Sequence, residues 1–165
     1  MTQTDIANLF EALAMLEEID LNDYETVTGD YFELKQIPLL HGYSLDLITI
    51  ESAKSVDYRA KGVVYKEHKA SVKDTNGQEV GYALLYATFL TGRNPNTVSV
   101  QSSGTNSWVA SGIPLSWSIA AVRTTGSSST VMMLSTTATA TGTNGAGGSQ
   151  LIVPYSLQVV CNAGE

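Results

Sequence analysis

The sequence predicts a mainly β protein: an antiparallel β-sandwich or jelly-roll-like body preceded by one amphipathic N-terminal α-helix. Three observations carry this. Apolar residues recur at helical spacing only near the start of the chain. From Tyr24 onward, short strand-like runs follow one another, divided by turn residues. Past Arg93 the chain is filled with Ser, Thr, Gly, Val and Ala, as in β-sandwiches and barrels with many short strands. A chain of 165 residues with 43% hydrophobic content can bury one core. We divide it into a helical arm, residues 1–22, and a β domain, residues 23–165.

The helix comes first. Thr4 is a suitable N-cap, with Asp5 in the first turn where a negative charge is favourable. Ile6, Leu9, Phe10, Leu13 and Leu16 then form one stripe, with Met15 alongside, while Glu11, Glu17 and Glu18 lie away from it. The pattern predicts a helix over residues 4–19, ending at the Asp20–Asp23 turn. A helix this short is marginal alone and needs a surface for its stripe, either its own sheet or another subunit.

Tyr31–Lys35 ahead of Pro38, and the alternating Ser44–Ile50, read as the first strands. The clearest element is a hairpin: Val63–Lys73, a turn over Asp74–Gln78, and a return over Glu79–Leu90. Asn76-Gly77 is expected to supply the positive φ angles of that turn. On the return strand Tyr82, Leu84, Tyr86 and Leu90 line one face, and Ala83, Leu85, Ala87 and Phe89 the other. Both faces are apolar, which predicts a central strand covered twice. Four more strands are expected near 97–101, 115–123, 130–140 and 151–161. In Thr137–Thr141 one face is all Thr and the other all Ala, so a second layer can approach closely.

Charge is laid out in blocks. Residues 1–51 hold eleven acids and one base, residues 52–93 four acids and seven bases, and beyond Arg93 only Arg123 and Glu165 are charged. A net charge of −7 argues against a nucleic-acid backbone or an anionic membrane as the main partner. A neutral β half has few charges to keep its strand edges from pairing with other chains. It is expected to be covered by the first half, by sister subunits or by a larger assembly. The acidic block could dock on the basic block of a neighbour.

Tests for chemistry come out negative. Gly142–Ser149 nearly fits a phosphate-binding loop, but Gly148 stands where the lysine must be, and a strand rather than a helix follows. Asp20–Glu25 clusters oxygens without the alternating ligands and glycine of an EF-hand, and Asp74, Asn76 and Glu79 are explained by the hairpin turn. His41, His68 and Cys161 cannot close a zinc site. His41 reads as a turn residue, and His68, in Lys66-Glu-His-Lys69, as the solvated side of a strand. No nucleophile elbow accompanies either. Cys161 reads as a small buried hydrophobe without a disulfide partner. Trp108 and Trp117, with Tyr82 and Tyr86, are core or interface anchors, or a sugar-stacking platform. No catalytic residue, cofactor or metal is expected.

In composition and layout, Thr97–Cys161 is similar to the β regions of phage capsid decoration (cement) proteins and tail components, though no motif carries the likeness. The resemblance implies a non-enzymatic virion structural protein that stabilises the particle by contact. Such a protein is assembled in the host cytoplasm, where the unexceptional N-terminus would leave it. Its partners are its own copies, as a homo-oligomer such as a trimer, and the major capsid or another virion protein. Ile6, Leu9, Phe10, Leu13, Leu16, Trp108 and Trp117 are the interface candidates, with the helical arm reaching an adjacent molecule. The alternatives are a tail or neck component and a carbohydrate-binding β-sandwich module.

Overall fold

The computed structural model describes residues 1–57, 61–92, 95–127, 130–143 and 150–163. It is mainly β, with antiparallel sheets and one N-terminal helix, as a β-sandwich-like body requires. Helix α1 spans Gln3–Ala14. The strands are β1 (Thr26–Thr28), β2 (Phe32–Pro38), β3 (Ser44–Asp57), β4 (Lys61–Lys73), β5 (Glu79–Gly92), β6 (Thr97–Val109), β7 (Leu115–Ile119), β8 (Arg123–Ser127), β9 (Val131–Thr143) and β10 (Gln150–Asn162).

The helix starts two residues earlier than its pattern suggests. Thr2, not Thr4, is the cap: its Oγ1 accepts from the Asp5 N–H at 3.1 Å, and Asp5 Oδ2 accepts from the Thr2 N–H at 2.9 Å. The three-residue spacing of Thr2 and Asp5 permits this reciprocal box. The hydrogen bond from the Thr2 backbone holds the Asp5 carboxyl below its usual range. The helix tightens after Ala14 into a 3₁₀ turn at Met15–Glu17, and Asp20 caps a second short turn at Leu21–Asp23.

Strands β1 to β6 form one sheet in sequence order, a meander in which each strand pairs with the next. The second sheet is narrower. β9 lies between β10 on one side and β7 and β8, placed end to end, on the other. The predicted strand at 115–123 is thus two short strands. The body is a sandwich of consecutive strands, without the alternation between sheets that defines a jelly roll. At the β4–β5 hairpin, only Gly77 has positive φ (77°), whereas the sequence suggested both Asn76 and Gly77. Gly77 N–H donates to the Asp74 carbonyl, and Asp74 Oδ1 accepts from the N–H groups of Asn76 and Gln78. The chain therefore uses a three-residue loop with one left-handed glycine.

The narrow sheet packs over β4, β5 and β6. Val64, Ala70, Val72, Ala83, Leu85, Ala87 and Phe89 face it and are buried. Leu134, Leu157, Val159 and Cys161 answer from the other side, and the Cys161 thiol is buried as expected. The alanine face of β9 is also buried. Ala138 lies opposite Ile119 and Tyr155, and Ala140 opposite Trp117 and Val153. The Trp117 and Tyr155 rings, 6.1 Å apart, come from the strands flanking this small-residue face.

A six-stranded sheet under a sheet three strands wide leaves β1, β2 and β3 overhanging. Inward-facing residues on β2 and β3 change character along the strands. Ile37 and Leu45 are fully buried at one end, whereas Glu33, Thr49 and Glu51 face inward at the other. Helix α1 closes the apolar end: Leu9, Ala12, Leu13 and Leu16 are buried in the same core as Ile37, Leu39, Tyr43 and Leu45. Gly142 permits the fit, since a Cβ there would lie 3.3 Å from Leu13 Cδ1. His41, at φ 60° in the turn before β3, reaches Glu11 on the helix at 2.6 Å. The stripe predicted for a subunit contact is therefore seated in its own body. Leu9, Leu13 and Leu16 are closed to a second molecule, and only Ile6 and Phe10 of the stripe are half-exposed.

Candidate interaction face

The outward side of the six-stranded sheet departs from the usual alternation of apolar inside and polar outside. Register places Phe32, Ile50, Glu67, Tyr86 and Gly104 in one row across β2 to β6. The next row is Leu34, Ile48, Lys69, Leu84 and Asn106, with Val27 on β1 beside Leu34. A third runs Gln36, Asp46, Ser71, Tyr82 and Trp108. Phe32 is 45% exposed, Ile50 38% and Trp108 44%. Strand β5, predicted to be central and covered twice, lies next to the edge, and the described residues cover only its Ala83–Phe89 side. Tyr82, Leu84, Tyr86 and Leu90 are half-exposed on the other.

Aromatic rings organise this face. Tyr82 and Trp108 lie 6.1 Å apart, and Tyr65 and Tyr86 stack at 6.5 Å. Tyr86 lies across Gly104, where an added Cβ would collide with its hydroxyl. A ring over a strand glycine shields backbone that has no side chain of its own. Lys69 Nζ sits 5.1 Å from the centre of the Tyr82 ring and 3.0 Å from Glu79, which also accepts from Ser71 Oγ at 2.6 Å. Tyr65 donates to Glu67 at 2.8 Å, and burial, reinforced by that carboxylate, pushes its hydroxyl up to about 12. Asp46 is completely buried, with Lys73 Nζ 2.8 Å away. Among the described residues of this face, Lys69 pairs with Glu79 and Lys73 with Asp46, Glu67 accepts from Tyr65, and apolar and aromatic groups are left facing outward.

The sequence-selected residues separate. Trp108 is on this face, with Tyr82 and Tyr86. Trp117 belongs to the other sheet and packs near Gly81 and Tyr155, so no platform contains both tryptophans. Asp20 and Asp74 accept from backbone N–H groups of their own turns. Among the described residues, no three His, Cys, Asp or Glu side chains gather as a metal site. Residues 144–149 of the glycine-rich run lie outside the described residues. Among the described residues no helix is long and apolar enough to cross a membrane.

Lys66 and His68 face inward, not toward solvent, because they share the side of β4 that buries Val64, Ala70 and Val72. Both meet the free edge of β10. His68 Nδ1 accepts from the Gln158 N–H at 3.1 Å, and Lys66 Nζ donates to the Val160 carbonyl at 2.6 Å. Burial lowers the His68 pKa from 6.5, against the smaller opposing pull of Glu33 on β2. Protonation would place an N–H on Nδ1 facing the Gln158 N–H and break the contact. A group whose folded pKa is depressed contributes stability that is complete above its unfolded value. Here that contribution is lost as pH falls below about 6.5 toward the lower folded pKa. Thermal melts from neutral pH to pH ~5 should show a smaller drop for His68→Gln, which keeps an acceptor that does not titrate.

Comparison with protein-family models, with curated proteins and with solved structures finds no match for this chain.

Proposed function

We propose that this chain is a non-enzymatic structural protein of a virus particle, a bacteriophage capsid decoration or cement protein acting as a homo-oligomer. Its working surface is the outward face of β2 to β6. One observation carries the reading: a broad sheet face keeps Phe32, Ile50, Tyr86 and Trp108 at least partly at the surface, while its Lys69 and Lys73 pair with Glu79 and Asp46. Exposed apolar groups on both sides of the polar β4 residues Glu67, Lys69 and Ser71 favour a contact with other protein. Contact by a flat, rigid sheet suits a protein whose task is to bury area on a neighbour. The two histidines are engaged with Glu11 and Gln158 in contacts that support the fold, which agrees with a role lacking catalysis. A tail or neck component would use the same surface.

Light scattering on the purified chain should give an oligomer, a trimer on this reading, and the chain should co-sediment with capsids stripped of it. A stable monomer that leaves capsids bare would overturn the proposal. A carbohydrate-binding module is the second reading, favoured by the exposed Tyr82–Trp108 pair beside Lys69 and Asn106. Glycan-array binding by a monomeric chain would select it.

A further inference from the structure

We infer that the cleft beside β10 is a strand-docking groove, which takes an extended segment carrying lysine or arginine at alternate positions from a partner chain. The groove follows from the mismatch in sheet widths. Among the described residues, β10 is an edge of the narrow sheet that pairs only with β9, and beyond it the inward side of β1–β3 continues as a floor that no strand covers. The resulting cleft holds about 470 Å³ and is bounded by Thr28–Glu33, Thr49, Glu51, Lys66 and Gln158–Val160. That volume is within the range of ~300–1,000 Å³ found for ligand sites.

One wall is a strand edge that offers hydrogen bonds. The backbone groups of Gln158 and Val160 point away from β9 into the cleft, as the contacts from His68 and Lys66 show. Pro154 has the same parity, so its missing N–H falls on the free side and docking is confined to the stretch beyond it. Side chains, which can swing aside, occupy the two edge groups, in the way that natural sheets guard an edge. An incoming strand would replace them with backbone partners.

The floor fixes the chemistry of the occupant. Among the described residues, Asp30, Glu33 and Glu51 border the cleft with one ammonium, that of Lys66, 3.7 Å from Glu51. A strand added to β10 continues the narrow sheet, so every second side chain projects toward the floor about 10 Å below. Lysine and arginine span that gap with an apolar stem and place a cation on the carboxylates. An acidic segment would be repelled, and a neutral one would bring no cation to the exposed Asp30 and Glu33.

Binding of labelled octapeptides to the full chain, followed by fluorescence anisotropy, tests this directly. A peptide alternating threonine and lysine should bind saturably, and one alternating threonine and glutamate should not. Two lysine peptides N-methylated on opposite alternate sets of residues should differ by about tenfold or more, because only one set bonds to the edge. Glu33→Gln combined with Glu51→Gln, in a protein whose melting curve is retained, should weaken binding about tenfold. Absence of binding by the lysine peptide would show that Lys66 and His68 are guards and nothing else. Equal binding of both N-methylated peptides would reduce the cleft to a charged patch, and an unchanged double variant would remove the floor from the argument. Apart from Phe32, which borders both surfaces, these readouts use residues other than those of the assembly face, and the peptide and self-association measurements are separate, so either reading can fail alone.

Discussion

Leu13→Ala is expected to lower the unfolding free energy by about 3 kcal/mol, within the ~2–5 kcal/mol typical of leucine truncations at core sites. Leu13 is 2% exposed and touches the position of Gly142, where the backbone of β9 comes close enough to leave no slack. The shortened side chain leaves a void between a helix and two sheets that are each held by their own hydrogen bonds, so collapse around it is limited. For a domain of this size the melting temperature should fall by roughly 10 °C. Ile6→Ala, on the half-exposed part of the same stripe, should cost much less. Denaturant melts of the two variants make the comparison. Equal, small losses would mean that the helix is a detachable arm. On the present packing, deleting residues 1–19 should not leave an intact β body, because it would strip the cover from Ile37, Leu39 and Leu45.

Local patterns in the chain carried much of this architecture. The helical stripe, the Asp74–Gln78 hairpin and the Thr/Ala alternation of β9 are written in adjacent residues, and each folds as its spacing dictates. The features that escaped are those set by distant partners. Lys66 and His68 look like a solvated run because charge is read residue by residue, whereas their side of the strand is fixed by Val64 and Val72. β6 runs on through Gln101–Ser107, where no apolar period announces a strand, because β5 offers it a long hydrogen-bonding partner. The apolar residues of β5 were visible in the sequence, but periodicity cannot say whether this chain or a second one covers them. The neutral half was expected to need shielding by other protein. Part of that shield comes from within, from β4 side chains on the β10 edge and from the helix at one end, so the pressure toward assembly falls on the outward face of the wider sheet.

The second large effect should appear there. Trp108→Glu and Ile50→Lys are each expected to weaken self-association by ~2–4 kcal/mol, the range of interface hot spots, or about 30-fold and more in the dissociation constant. Both residues are more than a third exposed in the isolated chain, so a charge at either place keeps its water and leaves the fold intact. In a buried contact the same charge loses that water without gaining a partner, since the nearby Lys69, Lys73, Glu79 and Asp46 are already paired. Ser116→Glu, on the outward side of the narrow sheet, is the matched control and should assemble like the parent. Sedimentation velocity across a concentration series reads all three. The comparison isolates the face itself, because a general effect of added charge would move Ser116→Glu as well. Unaltered assembly in both Trp108→Glu and Ile50→Lys would transfer the contact to another surface.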